Sequence, residues 1–173
     1  MHVPDPMHSS LEHRTLGAFD RISPLEGSDL LRQARALQSA ARAGTTQPLL
    51  RGKNLGLMCY ADDELDAALF RRAAEELGAR VSHIRPNLSE SSTAQEVQHT
   101  ARMLGRLYDA LECQGMARAL VQQIGIDAGA PVYDGIASAA HPTAGLADLL
   151  GGDSTPADKR RFVLQAVLVS AVA

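Results

Sequence analysis

The sequence is poor in aromatic residues, cysteines and net charge. It holds no tryptophan, three phenylalanines, three tyrosines and two cysteines among 173 residues. Seventeen lysines and arginines against twenty aspartates and glutamates leave a formal net charge of -3. A balance this close to neutrality argues against a non-specific binder of nucleic acids or of anionic membranes. With so few aromatic side chains, we expect a core rich in alanine and leucine.

Motifs that indicate a metal site or a nucleotide cofactor are also missing from the sequence. No Cys-x-x-Cys or His-x-x-x-His pair offers metal-ligand spacing, and no glycine-rich dinucleotide or Walker pattern occurs. We therefore predict neither a metal nor a cofactor. Cys59 and Cys113 each lie in an apolar run, which favours buried, reduced thiols over a disulfide or a nucleophile.

No apolar run is long enough for a membrane span. The longest candidate, "FVLQAVLVSAVA" at the carboxyl end, has twelve residues, too few to cross a bilayer core of about 30 Å as a helix. The opening "MHVPDPMHSS" is polar, contains proline and lacks the apolar centre of a signal peptide. We expect residues 1–12 to be a disordered tail and the protein to be cytoplasmic.

Helix and strand patterns alternate along the chain. Ser28 is the predicted cap of a first helix that ends at Gly44, and later helices are predicted over 62–78, 93–107 and 116–128. Short apolar runs of strand length separate them, at 54–60, 79–84, 108–113 and 131–135. Such alternation predicts the α/β class, here a single-domain open parallel sheet of about four strands with helices on both faces.

A last helix is predicted at the carboxyl end. Thr155 can serve as its N-cap, Pro156 as its first residue and Asp158 as an acid in its first turn. Its apolar face is broad, so we expect the helix to be buried. The basic residues Lys159, Arg160 and Arg161 are expected on a solvent-exposed face, where charged side chains usually lie.

Three separated stretches carry a resemblance to a known family. They are "LLRQARALQSAARAGTTQPLLRGKNLGLM", "HTARMLGRLYDAL" and "APVYDGIASAAHPTAGLADLL". In order and spacing they resemble the carbamoyl-phosphate domain of the aspartate/ornithine carbamoyltransferases, most of all the ornithine branch. The resemblance covers about residues 13–150 and implies that this range is one α/β domain.

The family's phosphate-binding motif is altered in this sequence. In the family, a Ser-Thr-Arg-Thr-Arg motif opens the helix after the first strand, where helix amides, hydroxyls and guanidinium groups surround a phosphate. Counting along the resemblance places that motif on Asp63, Glu64, Leu65, Asp66 and Ala67. Three carboxylates then stand where a dianion would bind, and each repels it by about 1 kcal/mol at exposed distances. The residues alone also fit ordinary acids in the first turn of a helix.

Two further family positions differ. The resemblance places Gln114 where the family has an arginine after the third strand, and Ala144 where its His-Pro-x-Gln motif has glutamine. His141 and Pro142 of that motif remain, so that His141, Pro142 and Thr143 are candidates for a residual ligand contact. His141 is otherwise explained as a turn or capping histidine. We assign no catalytic residue.

The resemblance also implies that a domain is missing. In the family a second α/β domain, which binds the amino-acid substrate, follows the His-Pro helix, and a last helix then returns to brace the first domain. Here residues 151–155 form a glycine-rich junction in place of the second domain, and residues 156–173 resemble the returning helix.

Several functions remain open from the sequence. The first is a non-catalytic pseudoenzyme, a binding, regulatory or scaffold module that associates with itself, as a trimer by resemblance, or with an active carbamoyltransferase. The second is a residual family member that binds carbamoyl phosphate or a small amino acid at His141. A relic without a present role is a third possibility.

Overall fold

A four-stranded parallel sheet organises the protein. The computed structural model describes residues 22–61 and 64–173. In chain order the helices and strands are α1 (Pro24–Ala43), β1 (Asn54–Met58), α2 (Leu65–Glu76), β2 (Arg80–Ile84), α3 (Ala94–Leu107), β3 (Ala110–Cys113), α4 (Arg118–Ala128), β4 (Val132–Asp134), α5 (Ala144–Asp148) and α6 (Pro156–Val172). The strand order is β2-β1-β3-β4, and every pairing is parallel.

Helices cover the sheet on both faces. On one face α1, α2, α5 and α6 enclose a large apolar cluster, and on the other α3 and α4 enclose a smaller one. The predicted fold class is therefore confirmed. The chain runs outward in opposite directions from β1 and β3, and in such sheets ligands bind outside the carboxyl ends of the strands at that reversal.

The N-cap of the first helix lies five residues before the one that the sequence pattern suggested. Ser23, not Ser28, is the N-cap, and its hydroxyl accepts from the amide of Glu26 while the Glu26 carboxylate accepts from the amide of Ser23. This reciprocal pair is a capping box, and Pro24 fits the first helical position because its missing N–H would have no partner there. The predicted end is confirmed, since Gly44 caps the helix with φ +68°.

The last helix lies inside the molecule, as predicted. Thr155 caps it by accepting from the amide of Asp158, and an unbroken buried stretch runs from Arg161 to Leu168. Ser170 donates to Gln33 of α1 at 2.7 Å. The helix is therefore an integral part of the core of this domain.

The basic residues near the start of α6 do not form a solvated face, so that prediction is wrong. Arg161 is 7% exposed, and its guanidinium lies 2.8 Å from the Glu76 carboxylate of α2 and against Asp158. Arg160 is half-buried and bonds backbone carbonyls. Both arginines instead stabilise the packing of α6. Each one bonds an acceptor on another element, which is brought near only by the tertiary fold.

Candidate functional site

A cavity of about 460 Å³ lies beside the start of α2 and the start of α6. Parts of four segments meet there: α2, the loop after β4, α5 and α6. The lining residues are Asp66, Leu69, Ala137, Ala139, Ala144, Ala147, Asp148, Pro156, Lys159 and Arg160. Its size is within the range of small-molecule sites. Most of the uncharged wall is alanine, so the cavity owes its space to small side chains.

The charged groups of the cavity are two acids and two bases. Asp66 and Asp148 face Lys159 and Arg160 around the same space. Burial lowers the pKa of the Arg160 guanidinium, and the negative charges of Asp66 and Glu112 oppose that shift. The site therefore has no excess of positive charge with which to attract a dianion such as a phosphate.

Arg160 is the most constrained of these groups. Its Nη2 donates to the carbonyls of Ile136 and Ser138 at 2.8 and 3.0 Å. Its Nε and Nη1 are buried and find no hydrogen-bond partner in the described part of the chain. A buried donor without an acceptor is costly, so the two nitrogens are candidates for contact with a water or a ligand.

Below the cavity wall a carboxyl group is enclosed by the protein. Glu112 on β3 is fully buried, and its oxygens accept from the amides of Ile136 and Ala137 at 3.1 and 3.2 Å and from Gln114 Nε2 at 3.3 Å. Burial raises its pKa from 4.5 to about 8, against the lowering effect of these hydrogen bonds. Burial and the N–H donors thus act in opposite directions on the pKa of Glu112, and burial has the larger effect.

His141 lies in a tight turn just before α5. It is 2% exposed, and its Nδ1 lies 2.9 Å from the Thr143 hydroxyl and accepts from the Thr143 amide at 3.2 Å. An imidazole nitrogen that accepts an N–H is unprotonated, so this bond favours the neutral ring. Neither His141 nor Thr143 lines the cavity, and Pro142 lines a different, mainly apolar one beside α1. The turn thus explains His141 structurally, while a ligand contact stays a prediction.

The five positions that correspond to the family's phosphate motif lie around the start of α2. Those that the structure describes differ in exposure. Asp63 lies outside the described residues. Glu64 and Leu65 are exposed, Leu65 at 88%, whereas Ala67 is fully buried in the core. Asp66 alone among the described four lines the cavity. An acid therefore occupies the motif position that, among the four described, faces this space.

The two other altered positions have different surroundings. Gln114 is 9% exposed and its amide donates to Glu112. Ala144 is the first residue of α5 and forms part of the cavity wall. Of the predicted site residues, the structure thus brings Asp66 and Ala144 together and leaves Gln114 and His141 in separate hydrogen-bond networks.

Sequence patterns missed Arg160 and Glu112 as site residues. Arg160 belongs to a basic run that looks like a solvated helix face, and nothing in the run distinguishes it. Glu112 did carry a signal, because it is an acid inside the strand "ALEC", whose four residues are all buried. A buried acid in a strand requires partners, and here the next loop supplies them.

The cysteines are placed as predicted. Cys59 and Cys113 are both buried, and burial raises the pKa of the Cys113 thiol. A thiol held in its protonated form is a poor nucleophile. Across residues 22–61 and 64–173, no three histidine, cysteine or acidic side chains converge as a metal site would require. In the same ranges no helix combines the length and apolarity of a membrane span.

Comparison with known proteins identifies similar sequences over most of the chain. Residues 14–151 match the family model "Aspartate/ornithine carbamoyltransferase, carbamoyl-P binding domain". An ornithine carbamoyltransferase of Haemophilus influenzae (strain PittGG) is 40% identical over 144 residues, which are 83% of this chain and 43% of the relative. The ornithine carbamoyltransferase of Cutibacterium acnes is 35% identical over 144 residues, again 83% of this chain and 43% of the relative. The chain spans less than half the length of these curated relatives.

Solved structures agree with the fold. The ornithine carbamoyltransferase of Pyrococcus furiosus superposes with a TM-score of 0.65 at 24% identity, over 82% of this chain and 45% of that protein. The ornithine carbamoyltransferase of Gloeobacter violaceus gives a TM-score of 0.57 at 28% identity, over 79% of this chain and 42% of that protein. The matched family region ends at residue 151, before α6 begins.

Proposed function

Because the chain belongs to the aspartate/ornithine carbamoyltransferase family, through that family's carbamoyl-phosphate binding domain, we propose that it is a non-catalytic member. It acts as a binding, regulatory or scaffold module. The observation that carries the proposal is the composition of the α2 start. Of the motif positions there, Glu64 and Asp66 are acids, and Ala67 is a buried methyl group in place of a guanidinium.

Charge explains why these changes remove catalysis. A phosphate at the start of α2 would gain from the helix amides but would meet the Asp66 carboxylate instead of arginine side chains. His141 provides little compensation, because an imidazole whose Nδ1 is engaged with Thr143 has only its Nε2 as a donor, and His141 does not line the cavity. In enzymes where a single oxyanion donor has been removed, the loss is about 3 kcal/mol of transition-state stabilisation. Here several charged donors are absent together.

We also propose that the segment 151–155 takes the place of the second domain. This proposal is supported by the short connection between α5, which ends at Asp148, and α6, which begins at Pro156. Gln38 of α1 donates to the Gly151 carbonyl at 3.1 Å and to Ser154 at 3.0 Å. Gly152 adopts φ +91°, a left-handed conformation that glycine adopts without strain, so the turn favours glycine. The junction thus joins α5 directly to a helix that covers the core.

The partner in this proposal is another carbamoyltransferase-like chain. The module forms a homotrimer or assembles with an active carbamoyltransferase, in the cytoplasm. Family resemblance supports the trimer, and its balanced charge supports a protein rather than a nucleic acid or a membrane as partner.

Absence of turnover is the first expected result. Purified protein given carbamoyl phosphate with ornithine, or with aspartate, should form no citrulline or carbamoyl-aspartate above the rate without protein. The Haemophilus influenzae ornithine carbamoyltransferase serves as the positive control in the same assay. Light scattering after gel filtration should report a trimer. Measurable turnover, or a monomer at every concentration and in mixtures with the active enzyme, would contradict the proposal.

A second candidate function is retention of a small ligand, and the cavity beside Arg160 favours it. If this holds, calorimetric titration with carbamoyl phosphate or ornithine should show binding at micromolar strength, with inorganic phosphate as the comparison. Arg160→Gln should abolish that heat, and Arg72→Gln, a change at an exposed arginine on α2, should leave it intact. No heat with either ligand at millimolar concentration would eliminate this candidate and leave the scaffold function.

A further inference from the structure

Two charged side chains in the cavity formed by α2, α5, α6 and the loop after β4 are left without a partner. The Asp148 carboxylate and the Lys159 ammonium both line this space. In the part of the chain that the structure describes, neither side chain makes a hydrogen bond or an ion pair. Arg161, also in the first half of α6, differs because its guanidinium pairs with Glu76. Asp148 and Lys159 are therefore available to a ligand.

The charges of the cavity are separated by sign. Asp66 and Asp148 belong to α2 and α5, whereas Lys159 and Arg160 both belong to α6. The cavity thus has an acidic side and a basic side, and these charges sum to zero. Pro156 also lines the space, so the basic side includes the start of α6, where the helix dipole is positive. This arrangement favours a ligand that carries both signs, because one side would repel a ligand with a single charge.

Lys159 is the base that is free to contact a ligand. Arg160 already donates from its Nη2 to two backbone carbonyls, whereas the three donors of the Lys159 ammonium are unused within the described residues. On the acidic side, Asp66 interacts electrostatically with Arg160, and Asp148 is exposed and unpaired. A ligand carboxylate is therefore expected toward Lys159, and a ligand ammonium toward the two aspartates.

The rest of the cavity wall is apolar. Besides Pro156 it consists of one leucine and four alanines, namely Leu69, Ala137, Ala139, Ala144 and Ala147. Among the described residues that line the space, no neutral polar side chain is present to bond a polar substituent. A volume of about 460 Å³ leaves room for a short alkyl group beside the two charged ends of a ligand.

We propose that this cavity binds an aliphatic α-amino acid as its zwitterion, with the carboxylate toward Lys159 and the ammonium toward Asp66 and Asp148. The inference rests on the proposed function, because it names the ligand class of the non-catalytic binding module. It differs from the second candidate function in its ligand, since carbamoyl phosphate and ornithine carry a net charge that the cavity does not balance. The site is also distinct from the turn at His141, which does not line this space.

Calorimetric titration at pH 7 tests the ligand class. L-Valine should bind, and two analogues that keep its alkyl group but lack one charge, isobutylamine and 3-methylbutanoate, should bind at least about tenfold more weakly. Ornithine and aspartate should also bind more weakly than valine. Equal affinity for valine and either analogue, tighter binding of ornithine or aspartate, or no heat with valine at millimolar concentration would overturn the proposal.

Substitutions at the unpaired side chains test the location of the site. Lys159→Gln and Asp148→Asn should each weaken valine binding about tenfold, and both variants should fold because neither side chain bonds the protein. Lys53→Gln, at a half-buried lysine outside the cavity, and Asp153→Asn, at an exposed aspartate outside it, should bind valine as wild type does. Unchanged valine affinity in both cavity variants would place the binding elsewhere and refute the site.

A reciprocal change in specificity separates a direct contact from a structural effect. Lys159→Gln leaves the acids of the cavity in excess, so its affinity for ornithine relative to valine should rise, whereas a merely distorted cavity would lose both. Failure of the proposed function has a different signature, namely citrulline or carbamoyl-aspartate formation by the wild-type protein. Absence of valine binding in a protein without such turnover would refute the amino-acid site alone.

Discussion

Val167→Asp is expected to leave the chain unfolded in the absence of denaturant. Val167 is fully buried in α6 and belongs to the main apolar cluster with Phe70 of α2 and Leu30 of α1. An aspartate there must be buried as an unpaired charge, must be protonated at a large cost, or must expel the helix from the core. Any of these outcomes costs several kcal/mol, comparable with the 5–15 kcal/mol that stabilises a typical domain.

The matched control for this substitution lies on the same helix. Ala157 is exposed in the first turn of α6, so Ala157→Asp adds the same side chain where it faces water and the positive end of the helix dipole. Circular dichroism and urea titration should show a native-like fold for the control and none for Val167→Asp. A cooperative unfolding transition in Val167→Asp at near wild-type urea concentration would mean that α6 is dispensable to the fold.

The elements of this fold are predictable because their signals are local. Thr93 and Glu96 form a capping box at the start of α3, and both residues are visible in the sequence three positions apart. Gly44 ends α1 in the left-handed conformation that glycine adopts without strain. Short apolar runs between such helices predict buried parallel strands. None of these inferences requires knowing which residues meet in space.

Errors arose where the sequence offered two equivalent local signals. Ser23 and Ser28 are both serines before an apolar stretch, and the choice between them depends on Pro24 and Glu26. Because the apolar pattern begins at residues 30 and 31 and continues at 34 and 37, the helix was predicted to start after Ser28. The first turn of the helix, which begins at Pro24, was therefore not predicted.

The site was less predictable than the fold because its groups come from distant parts of the chain. Arg160 meets Ile136 and Ser138 across 24 and 22 residues, and Arg161 meets Glu76 across a still longer separation. No periodicity distinguishes these arginines from the solvated ones of other helices. Family resemblance located Asp66 and Ala144, which do line the cavity, because it carries tertiary information that a single sequence does not.

The charged groups around the cavity give the altered site a consistent physical character. Arginines at the start of α2 would make the region strongly positive, but Asp66 and Asp148 offset Lys159 and Arg160 instead. In that balanced setting Arg160 donates to backbone carbonyls of the loop after β4, and Glu112 accepts from amides of the same loop. The charges thus stabilise the loop and α6 rather than a bound dianion.

Gly105→Ala is the second substitution with a large expected effect. Gly105 lies on α3 where that helix crosses the end of α4, and a Cβ at this position would lie 1.7 Å from the Ala128 carbonyl oxygen. The contact is with backbone, so no side-chain rotation can relieve it. The two helices must separate, which opens the cluster that includes Leu104 and Ile124. Overpacking of this kind typically costs about 1–3 kcal/mol, and a backbone clash lies at the upper end.

Gly145→Ala is the control that separates packing from helix propensity. Gly145 is also helical, on α5, but a Cβ there would meet nothing within 4 Å. Alanine exceeds glycine in helix propensity by about 1 kcal/mol, so the control should be neutral or slightly stabilised in urea titration, while Gly105→Ala should unfold at markedly lower urea. Equal midpoints for the two variants would show that α3 and α4 tolerate a wider separation than their close crossing at Gly105 implies.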